Sequence, residues 1–169
     1  MNRGFALEAA VEEDLPELVG LERACFSQPW SLASFRSEMQ DAGPGRVVVL
    51  REPHGPRDAG RGLLAYCVFQ VVLPDELQVL DLAVRPERRR QGVGRRLLAR
   101  VLELGASRGA RIALLEVRRG NWPAAELYRS AGFELYDTRR DYYSNPREDA
   151  LLLRREGIEA LRPSGVKDP

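Results

Sequence analysis

The spacing of the apolar residues changes at Gly92, and this change restricts the possible folds more than any other feature of the sequence. Before Gly92, the segments 63–72 and 77–84 are short apolar runs typical of strands. After it, apolar residues recur every three or four positions, as on one face of a helix that ends near Gly109. This face consists of Val93, Leu97, Leu98, Val101, Leu102 and Leu104. Because a strand is predicted again at 110–117, the chain contains a strand–helix–strand crossover, which requires two parallel strands in one sheet.

The N-terminal segments and one later segment extend this crossover into an alternating fold. Strands are predicted at 5–9 and 47–50. Between them, Asp14 and Ser31 are the predicted N-caps of two helices, because their short polar side chains can accept hydrogen bonds from the backbone. A further helix is predicted at 121–131.

The C-terminal part is predicted as a pair of strands, at 133–140 and 150–153, joined by a connection over 142–148. The complete order β-α-α-β-β-β-α-β-α-β-β predicts a mixed α/β fold, with one mainly antiparallel central sheet and helices on both faces. We expect residues 1–156 to form a single domain and residues 157–169 to form a disordered tail.

The composition excludes several classes of protein. The formal net charge is +1 from 26 basic and 25 acidic side chains, so no global field attracts nucleic acid or anionic lipid. His54 is the only histidine, and the only cysteines, Cys25 and Cys67, are far apart, which excludes a multi-histidine metal site and a CxxC motif. The sequence shows no signal segment and no apolar run long enough to span a bilayer. We therefore expect a cytoplasmic protein that binds no metal, no nucleic acid and no membrane.

Two glycines mark the start of the helix that follows the strand at 77–84. In the segment 89–96, Arg-Arg-Gln-Gly-Val-Gly-Arg-Arg, Gly92 and Gly94 lack the Cβ atoms that would block the approach of a ligand. Successive backbone N–H groups at a helix start can bind a phosphate, and the helix dipole favours its negative charge. Leu97 stands where a dinucleotide fingerprint needs a small residue, and no Gly-Lys pair is present. Neither a Rossmann nor a Walker A loop is therefore predicted.

The pattern that remains, R/Q-x-x-G-x-G/A, resembles the pyrophosphate-binding motif of the GNAT acyltransferases. Three flanking segments follow in the order of that family: Leu-Ala-Val-Arg-Pro at 82–86, Leu-Glu-Val-Arg-Arg-Gly-Asn at 115–121 and Leu-Tyr-Arg-Ser-Ala-Gly-Phe at 127–133. Three more resemble the RimI-type ribosomal-protein-alanine N-acetyltransferases within it: Pro-Trp-Ser at 29–31, Arg-Arg-Asp-Tyr-Tyr at 139–143 and Arg-Glu-Asp-Ala at 147–150. The resemblance covers nearly the whole chain, from residue 5 to residue 154.

This resemblance implies acetyl-CoA as the cosubstrate and direct transfer of its acetyl group to an amine. It implies that the pantetheine arm lies along the backbone of Leu82, Ala83 and Val84, with Asn121 as a further hydrogen-bond partner. It implies that the pyrophosphate is bound by the turn residues Arg89, Arg90, Gln91, Gly92, Val93, Gly94 and Arg95. Asn121 is also an acceptable helix N-cap, and the sequence leaves both interpretations open.

Glu116 and Tyr128 are the candidate catalytic residues. Glu116 shares one strand face with Ile112 and Leu114, where a carboxylate is costly unless it is paired or used, so a salt bridge is the alternative interpretation. Tyr128 is predicted to face inward, at helical spacing from Ala124, so a core aromatic is its alternative. The resemblance implies that Glu116 is the general base for the amine and Tyr128 the general acid for the CoA thiolate.

Three aromatic residues are candidates for binding the acceptor. Trp30, Tyr142 and Tyr143 either line a groove for an N-terminal peptide or pack as core aromatics under loops, and the sequence favours neither. The resemblance implies that the acceptor is the N-terminal α-amine of a protein, more specifically the N-terminal alanine of a small-subunit ribosomal protein. Two alternatives stay open: a small-molecule amine as acceptor, and a non-catalytic protein that senses acyl-CoA.

Overall fold

The structure, a computed structural model, describes residues 5–40, 45–52, 62–72 and 74–161. His54 and residues 162–169 of the predicted tail lie outside the described residues. Within the described ranges, the helices and strands follow the order predicted from the sequence.

Seven strands and four α-helices form the described part of the chain. The strands are β1 Ala6–Ala9, β2 Gly45–Arg51, β3 Leu63–Val72, β4 Glu76–Val84, β5 Ile112–Arg118, β6 Glu134–Ser144 and β7 Arg147–Glu156. The α-helices are α1 Leu15–Cys25, α2 Leu32–Glu38, α3 Val93–Ser107 and α4 Trp122–Ser130. Short 3-10 helices cover Glu12–Asp14, Pro86–Arg88 and Ile158–Leu161. None of the described helices has the length and apolar character needed to cross a lipid bilayer.

The seven strands form one mixed sheet in the order β1-β2-β3-β4-β5-β7-β6. β4 and β5 pair in parallel over Glu76–Val79 and Ile112–Leu115, as the strand–helix–strand crossover requires. The pairs β1–β2, β5–β7 and β6–β7 are antiparallel. The predicted mixed, mainly antiparallel α/β sheet is therefore confirmed.

The chain divides into two compact units, each built from two separate stretches. The first unit comprises residues 1–69 and 81–97, and the second comprises residues 70–80 and 98–169. The division falls within β3, β4 and α3, so each of these elements contributes to both units. The assignment of residues 1–156 to a single domain stays a prediction.

The core of the first unit surrounds Phe35 and Tyr66, whose side chains are fully buried. Their rings meet edge to face, with centroids 5.4 Å apart. Other buried members of this core are Leu15, Leu18, Leu21, Val47, Val49, Leu63, Val68 and Ala83. The three leucines belong to α1 and recur every three residues, which is why the sequence pattern identified this helix.

In the second unit, α3 packs closely on β4. Leu98 and Leu102 of the predicted apolar face are buried, as is Leu77 on β4. A Cβ atom added at Gly105 would lie 2.7 Å from a methyl carbon of Leu77, so position 105 has no room for a side chain. The apolar face predicted from the sequence is therefore the packed face of the helix.

The two predicted N-caps have different outcomes. Ser31 caps α2 as predicted, because its Oγ accepts a hydrogen bond from the Ser34 N–H at 3.0 Å. Asp14 is the N-cap residue of α1 as predicted, but the expected hydrogen bond from its side chain to the helix is not formed. Its carboxylate instead accepts a hydrogen bond from the Val11 N–H at 3.0 Å and pairs with the Arg51 guanidinium at 2.5 Å. Asp14 and Arg51 are both buried, and a buried guanidinium requires a carboxylate partner more than a helix end requires a cap.

The C-terminal hairpin is longer and tighter than predicted. β6 continues to Ser144 and β7 begins at Arg147, so the predicted connection over 142–148 is wrong and both tyrosines of that segment lie on a strand. The pairing register shifts between Arg139 and Tyr143, and Asp141 has a φ of 52°. Strands are predicted from side chains that alternate between the two faces of a sheet. The register shift interrupts this alternation, and therefore the predicted strand ended at residue 140 instead of Ser144.

The first residues of the predicted tail are ordered. Ile158–Leu161 form a 3-10 helix, and the Ile158 side chain is fully buried. The Ile158 N–H donates a hydrogen bond to the Arg111 carbonyl oxygen at 3.1 Å. The tail prediction is wrong for these residues, because one buried isoleucine and one backbone hydrogen bond attach the segment to the second unit.

Arginine supplies the side-chain positive charge in the ion pairs of the described residues, since Lys167, the only lysine of the chain, lies outside them. Many of these pairs are at the surface, for example Arg129–Glu126 at 3.0 Å and Arg147–Asp141 at 2.7 Å. Pairs of this kind add little to stability, because solvent screens their charges.

Candidate active site

The glycine-containing turn leads directly into the N-terminus of α3, which begins at Val93. Arg96 is the first residue of α3 whose N–H donates along the helix, to the Gly92 carbonyl oxygen at 3.1 Å. The N–H groups of Val93, Gly94 and Arg95 precede it, in the first turn, where N–H groups have no acceptor within the helix itself. Such groups form a binding site for an anion at the positive end of the helix dipole.

The backbone of the turn needs its glycine. Gly92 has a φ of 78°, a left-handed backbone conformation that residues other than glycine rarely adopt. A Cβ atom at Gly92 would meet nothing within 4 Å, so the space beside this backbone is open. Arg90 also has a positive φ, of 59°, and its side chain is exposed. The Gln91 amide donates to the Glu87 carbonyl oxygen at 2.9 Å and stabilises the turn.

Arg89 connects this turn to the end of β4 and to α1. Its Nε donates to the Val84 carbonyl oxygen at 3.1 Å, and its Nη2 lies 3.1 Å from Cys25 Sγ. Burial raises the pKa of the Cys25 thiol, and the Arg89 guanidinium partly opposes that rise. Next to Val84, Ala83 is buried and Leu82 is half-buried. The observed role of the Arg89 side chain is thus to hold the turn, and its contact with a cofactor stays a prediction.

Trp30 lies at the edge of the core of the first unit. Its ring packs against Phe35, with centroids 5.7 Å apart, and is partly buried. Its backbone N–H donates to Glu22 Oε1 at 2.8 Å. The side chain is therefore a partly buried core aromatic, and a contact with substrate stays a prediction.

Glu116 lies on the more exposed face of β5. Ala113, Leu115 and Val117 point into the packed side, whereas the Glu116 side chain is 32% exposed. The Arg139 guanidinium on β6 pairs with Glu116 Oε1 at 2.5 Å. The salt bridge considered in the sequence analysis is therefore present, with Arg139 as the partner. Sequence reasoning missed this partner because the two residues are 23 positions apart and lie on different strands.

Tyr128 and Asn121 are both positioned by α4. Tyr128 faces inward as predicted and is 7% exposed. Its ring packs edge to face on Phe133, with centroids 5.9 Å apart. Asn121 caps α4, because its Oδ1 accepts a hydrogen bond from the Ala124 N–H at 3.3 Å. The capping interpretation of Asn121 is confirmed, and its role in cofactor binding stays a prediction.

Tyr142 and Tyr143 form a small aromatic group with two arginines. Their rings meet edge to face at 5.1 Å. The Arg118 guanidinium lies 4.0 Å from the Tyr143 ring centre, and the Arg139 guanidinium lies 5.4 Å from that of Tyr142. Burial, and next the negative charge of Glu116, raise the pKa of Tyr143. Tyr142 is half exposed and available to a ligand, whereas Tyr143 is packed.

The predicted site residues fall into two groups. The first unit contains Trp30, the end of β4 and the turn from Arg89 to Arg95. The second unit contains Glu116, Asn121, Tyr128, Tyr142 and Tyr143. Among the residues that the structure describes, no three histidine, cysteine or carboxylate side chains form a cluster suited to a metal ion.

Comparison with known proteins gives consistent results. The family described as the acetyltransferase (GNAT) family has a model that matches residues 15–133. The ribosomal protein bS18-alanine N-acetyltransferase of Escherichia coli K12 is 34% identical over 155 residues, which are 90% of this chain and 96% of that protein. A protein of Bacillus subtilis with the same assigned activity, named as putative, is 32% identical over 142 residues, which are 83% of this chain and 88% of that protein.

A solved structure shows the same fold. The crystal structure of the ribosomal-protein-S18-alanine N-acetyltransferase from Escherichia coli superposes with a TM-score of 0.78 at 29% sequence identity. The match covers 98% of this chain and 99% of that chain.

Proposed function

The chain belongs to the acetyltransferase (GNAT) family, and on this premise we propose that it transfers the acetyl group of acetyl-CoA to the N-terminal α-amine of a protein. The acceptor we propose is the N-terminal alanine of the small-subunit ribosomal protein bS18. The observation that carries this proposal is the similarity to the bS18-alanine N-acetyltransferases, which extends over 83% to 90% of the chain.

The turn before α3 fits the pyrophosphate of acetyl-CoA. The N–H groups of Val93, Gly94 and Arg95 in the first turn of α3 suit an anion, and the space beside Gly92 is open. The exposed Arg90 supplies positive charge next to them. In this proposal, acetyl-CoA supplies an activated acetyl group as a thioester, and the residues from Arg89 to Arg95 hold its phosphates.

The backbone of Leu82, Ala83 and Val84 would hold the pantetheine arm as an added strand does. The Val84 N–H would polarise the acetyl carbonyl group, as a single donor of an oxyanion site. Asn121 uses its Oδ1 for the cap of α4, and its side-chain amide N–H would donate to the same arm.

Glu116 and Tyr128 are the proposed base and acid. Glu116 would accept a proton from the α-ammonium group, directly or through water, while Arg139 holds one of its oxygens. An α-amine has a pKa of about 7.7–8.0 and is partly neutral at physiological pH, so a modest base suffices. The Tyr128 hydroxyl would donate a proton to the departing thiolate, whose conjugate thiol has a pKa of about 8.5. No covalent enzyme intermediate is needed.

The acceptor is tested with peptides that differ only in their first residue. Peptides that begin with Ala or Ser should be acetylated well, and the same peptides beginning with Trp or Arg should be acetylated poorly, because we propose a confined space for the first side chain. Mass spectrometry after incubation with acetyl-CoA measures the product, and a peptide with a blocked N-terminus but a free lysine is the control. Tyr142→Ala should raise KM for the peptide far more than KM for acetyl-CoA.

The same assay separates the remaining alternative, a small-molecule acceptor. Spermidine and an aminoglycoside serve as competing amines at the same concentration. If either is acetylated faster than every N-terminal peptide, the proposed acceptor is wrong, while the assignment to the GNAT family is unaffected.

A further inference from the structure

A cluster of two carboxyl groups and a tyrosine hydroxyl lies in the first unit, and the proposed mechanism does not use it. Tyr66 Oη lies 2.9 Å from Asp81 Oδ2 and is also hydrogen-bonded to Glu22 Oε2. Glu22 is 1% exposed and Tyr66 is fully buried. The other carboxylate oxygen of Glu22, Oε1, accepts the hydrogen bond from the Trp30 N–H. The Glu22–Tyr66–Asp81 cluster therefore links α1, β3 and β4 to the segment that contains Trp30.

If both carboxyl groups of the cluster were ionised, the only hydrogen between them would be that of the Tyr66 hydroxyl. The hydrogen-bond geometry requires one more. The Tyr66 hydroxyl carries a single hydrogen, yet its oxygen is within hydrogen-bond distance of both carboxyl groups. Two oxygens with no hydrogen between them repel each other, so one carboxyl group must be protonated. Burial and the Glu22 charge raise the pKa of Asp81, whereas Glu22 faces the Trp30 N–H with its other oxygen, so we assign the additional proton to Asp81, which then donates to Tyr66.

The electrostatics of the cluster agree with this count. Burial raises the pKa of Asp81 well above its ordinary value, and the negative charge of Glu22 raises it further. A hydrogen bond with Glu22 also raises it; in its ionised form Asp81 would accept hydrogen bonds from the Tyr66 hydroxyl and the Leu82 N–H, which opposes the rise without reversing it. Burial and the two carboxyl groups also raise the pKa of Tyr66, so its hydroxyl keeps its hydrogen.

Among the residues that the structure describes, the other titratable groups that act on the cluster supply no compensating positive charge. Burial raises the pKa of the Cys67 thiol on β3 and of the Cys25 thiol on α1, so both stay neutral. The guanidinium group that acts on Cys25 belongs to Arg89, in the turn after β4, and it is bound to Cys25 Sγ and to the Val84 carbonyl oxygen. A second negative charge in the cluster would therefore remain uncompensated.

We propose that Asp81 is protonated at neutral pH and, through Tyr66 and Glu22, fixes the backbone of Trp30 for binding of the acceptor. The hydrogen bonds run from Asp81 to Tyr66 and from Tyr66 to Glu22, and Glu22 then accepts the Trp30 N–H. Glu22, Tyr66 and Asp81 are thus positioning residues, which act through Trp30 and do not touch the reacting atoms. This inference rests on the proposed function, because Trp30 matters to binding only if the acceptor contacts its segment.

The proton on Asp81 is tested by the pH dependence of stability. A carboxyl group with a raised pKa in the folded state stabilises fully below its unfolded pKa of about 3.9, and this contribution is lost as pH rises through the folded pKa. Asp81→Asn keeps a hydrogen-bond donor but cannot ionise. The Tm of Asp81→Asn minus the Tm of the wild type should therefore increase steadily from pH 4 upward.

The matched control for this measurement is Glu17→Gln. Glu17 lies on α1, the helix that carries Glu22 of the cluster, but it pairs with Arg85 at 2.7 Å, outside the cluster. Its Tm difference from the wild type should not grow in the way that of Asp81→Asn does. Parallel Tm curves for Asp81→Asn and the wild type would overturn the inference.

The positioning role is tested at Glu22. Glu22→Gln keeps an acceptor for the Trp30 N–H, whereas Glu22→Leu removes it. KM for an Ala-first peptide should rise about tenfold in Glu22→Leu, the effect of one lost hydrogen bond, and stay within about twofold of the wild type in Glu22→Gln. KM for acetyl-CoA should stay nearly constant in both variants.

Two results would contradict this role in different ways. Equal increases of peptide KM in both variants would overturn the positioning role and leave the proposed function in place. A wild-type protein that acetylates no N-terminal peptide would overturn the proposed function and with it the role of Trp30. The Tm measurement distinguishes the two cases, because it reports on the Asp81 proton without any substrate.

Discussion

Glu22 and Glu116, one in each compact unit, are held by opposite kinds of partner. Glu22 is 1% exposed and is bound by a tyrosine hydroxyl and a backbone N–H, which carry no charge. Glu116 is 32% exposed and is bound by the Arg139 guanidinium, which neutralises it. A carboxylate that is buried away from solvent, such as that of Glu22, is fixed in place by its hydrogen bonds. An exposed carboxylate paired with one guanidinium group, such as that of Glu116, can exchange this partner for the ammonium group of a substrate. The first arrangement suits a structural role and the second suits proton transfer.

The largest expected effect is on catalysis at the exposed carboxylate. Glu116→Gln should lower kcat by about 10²–10⁴, as the loss of a general base does. Part of the loss should be recovered at high pH, because an α-amine with a pKa of about 7.7–8.0 is then already neutral and needs no base. Steady-state rates from pH 6 to 10 measure both effects.

Tyr128→Phe is the matched contrast, because it removes a proton donor and keeps the ring that packs on Phe133. Its turnover should also fall, with little recovery at high pH and a near-normal affinity for acetyl-CoA. Wild-type rates in both variants would show that the roles assigned to Glu116 and Tyr128 are wrong.

The next largest effect is on stability at the buried carboxylate. Glu22→Leu leaves the Trp30 N–H without its acceptor and removes one of the two carboxyl partners of the Tyr66 hydroxyl, so the free energy of unfolding should fall by about 1–3 kcal/mol. Urea unfolding at pH 7 measures the change, with Glu22→Gln as the variant of the same length that keeps an acceptor. A loss below about 1 kcal/mol in Glu22→Leu would mean that the buried Glu22 carboxylate is no more important for stability than the exposed Glu116 carboxylate.

The smallest effect is expected at the partner of the exposed carboxylate. Arg139→Gln removes the charge that pairs with Glu116 and should change the free energy of unfolding by no more than about 1 kcal/mol, because the pair is exposed. Urea unfolding checks this value. A loss of about 3 kcal/mol would show that the Glu116–Arg139 pair holds the hairpin together and would remove the distinction from Glu22.

The sequence predicted well those features that depend on neighbouring residues. Side chains only a few positions away in the sequence determine these features. They are the start of α3, the N-caps at Ser31 and Asn121, and the full extent of β3. The resemblance added the roles of Glu116 and Tyr128, and the structure places both on the predicted elements.

Most of the features that the sequence did not predict depend on partners that are distant in the sequence. Glu22 is 44 positions from Tyr66, and its place in the helical pattern of α1 gave no sign of its hydrogen-bond partners. Glu116 on β5 and Arg139 on β6 come together through the order of the strands in the sheet, in which β7 is the neighbour of both β5 and β6. That order cannot be derived from the residues around either position. The hairpin was predicted too short for a local reason, since the register shift before Tyr143 breaks the period of two.

The reliance on arginine for ion pairing has a chemical consequence for a protein of this family. Lysine side chains are primary amines, and acetylation removes their charge and their ability to form salt bridges. Guanidinium groups stay protonated at physiological pH and are not acetylated in this way. The pairs that hold Glu116, Asp14 and Asp141 are therefore resistant to modification by an acyl donor. An acetyltransferase built in this way keeps its charge pattern in the presence of its own cosubstrate.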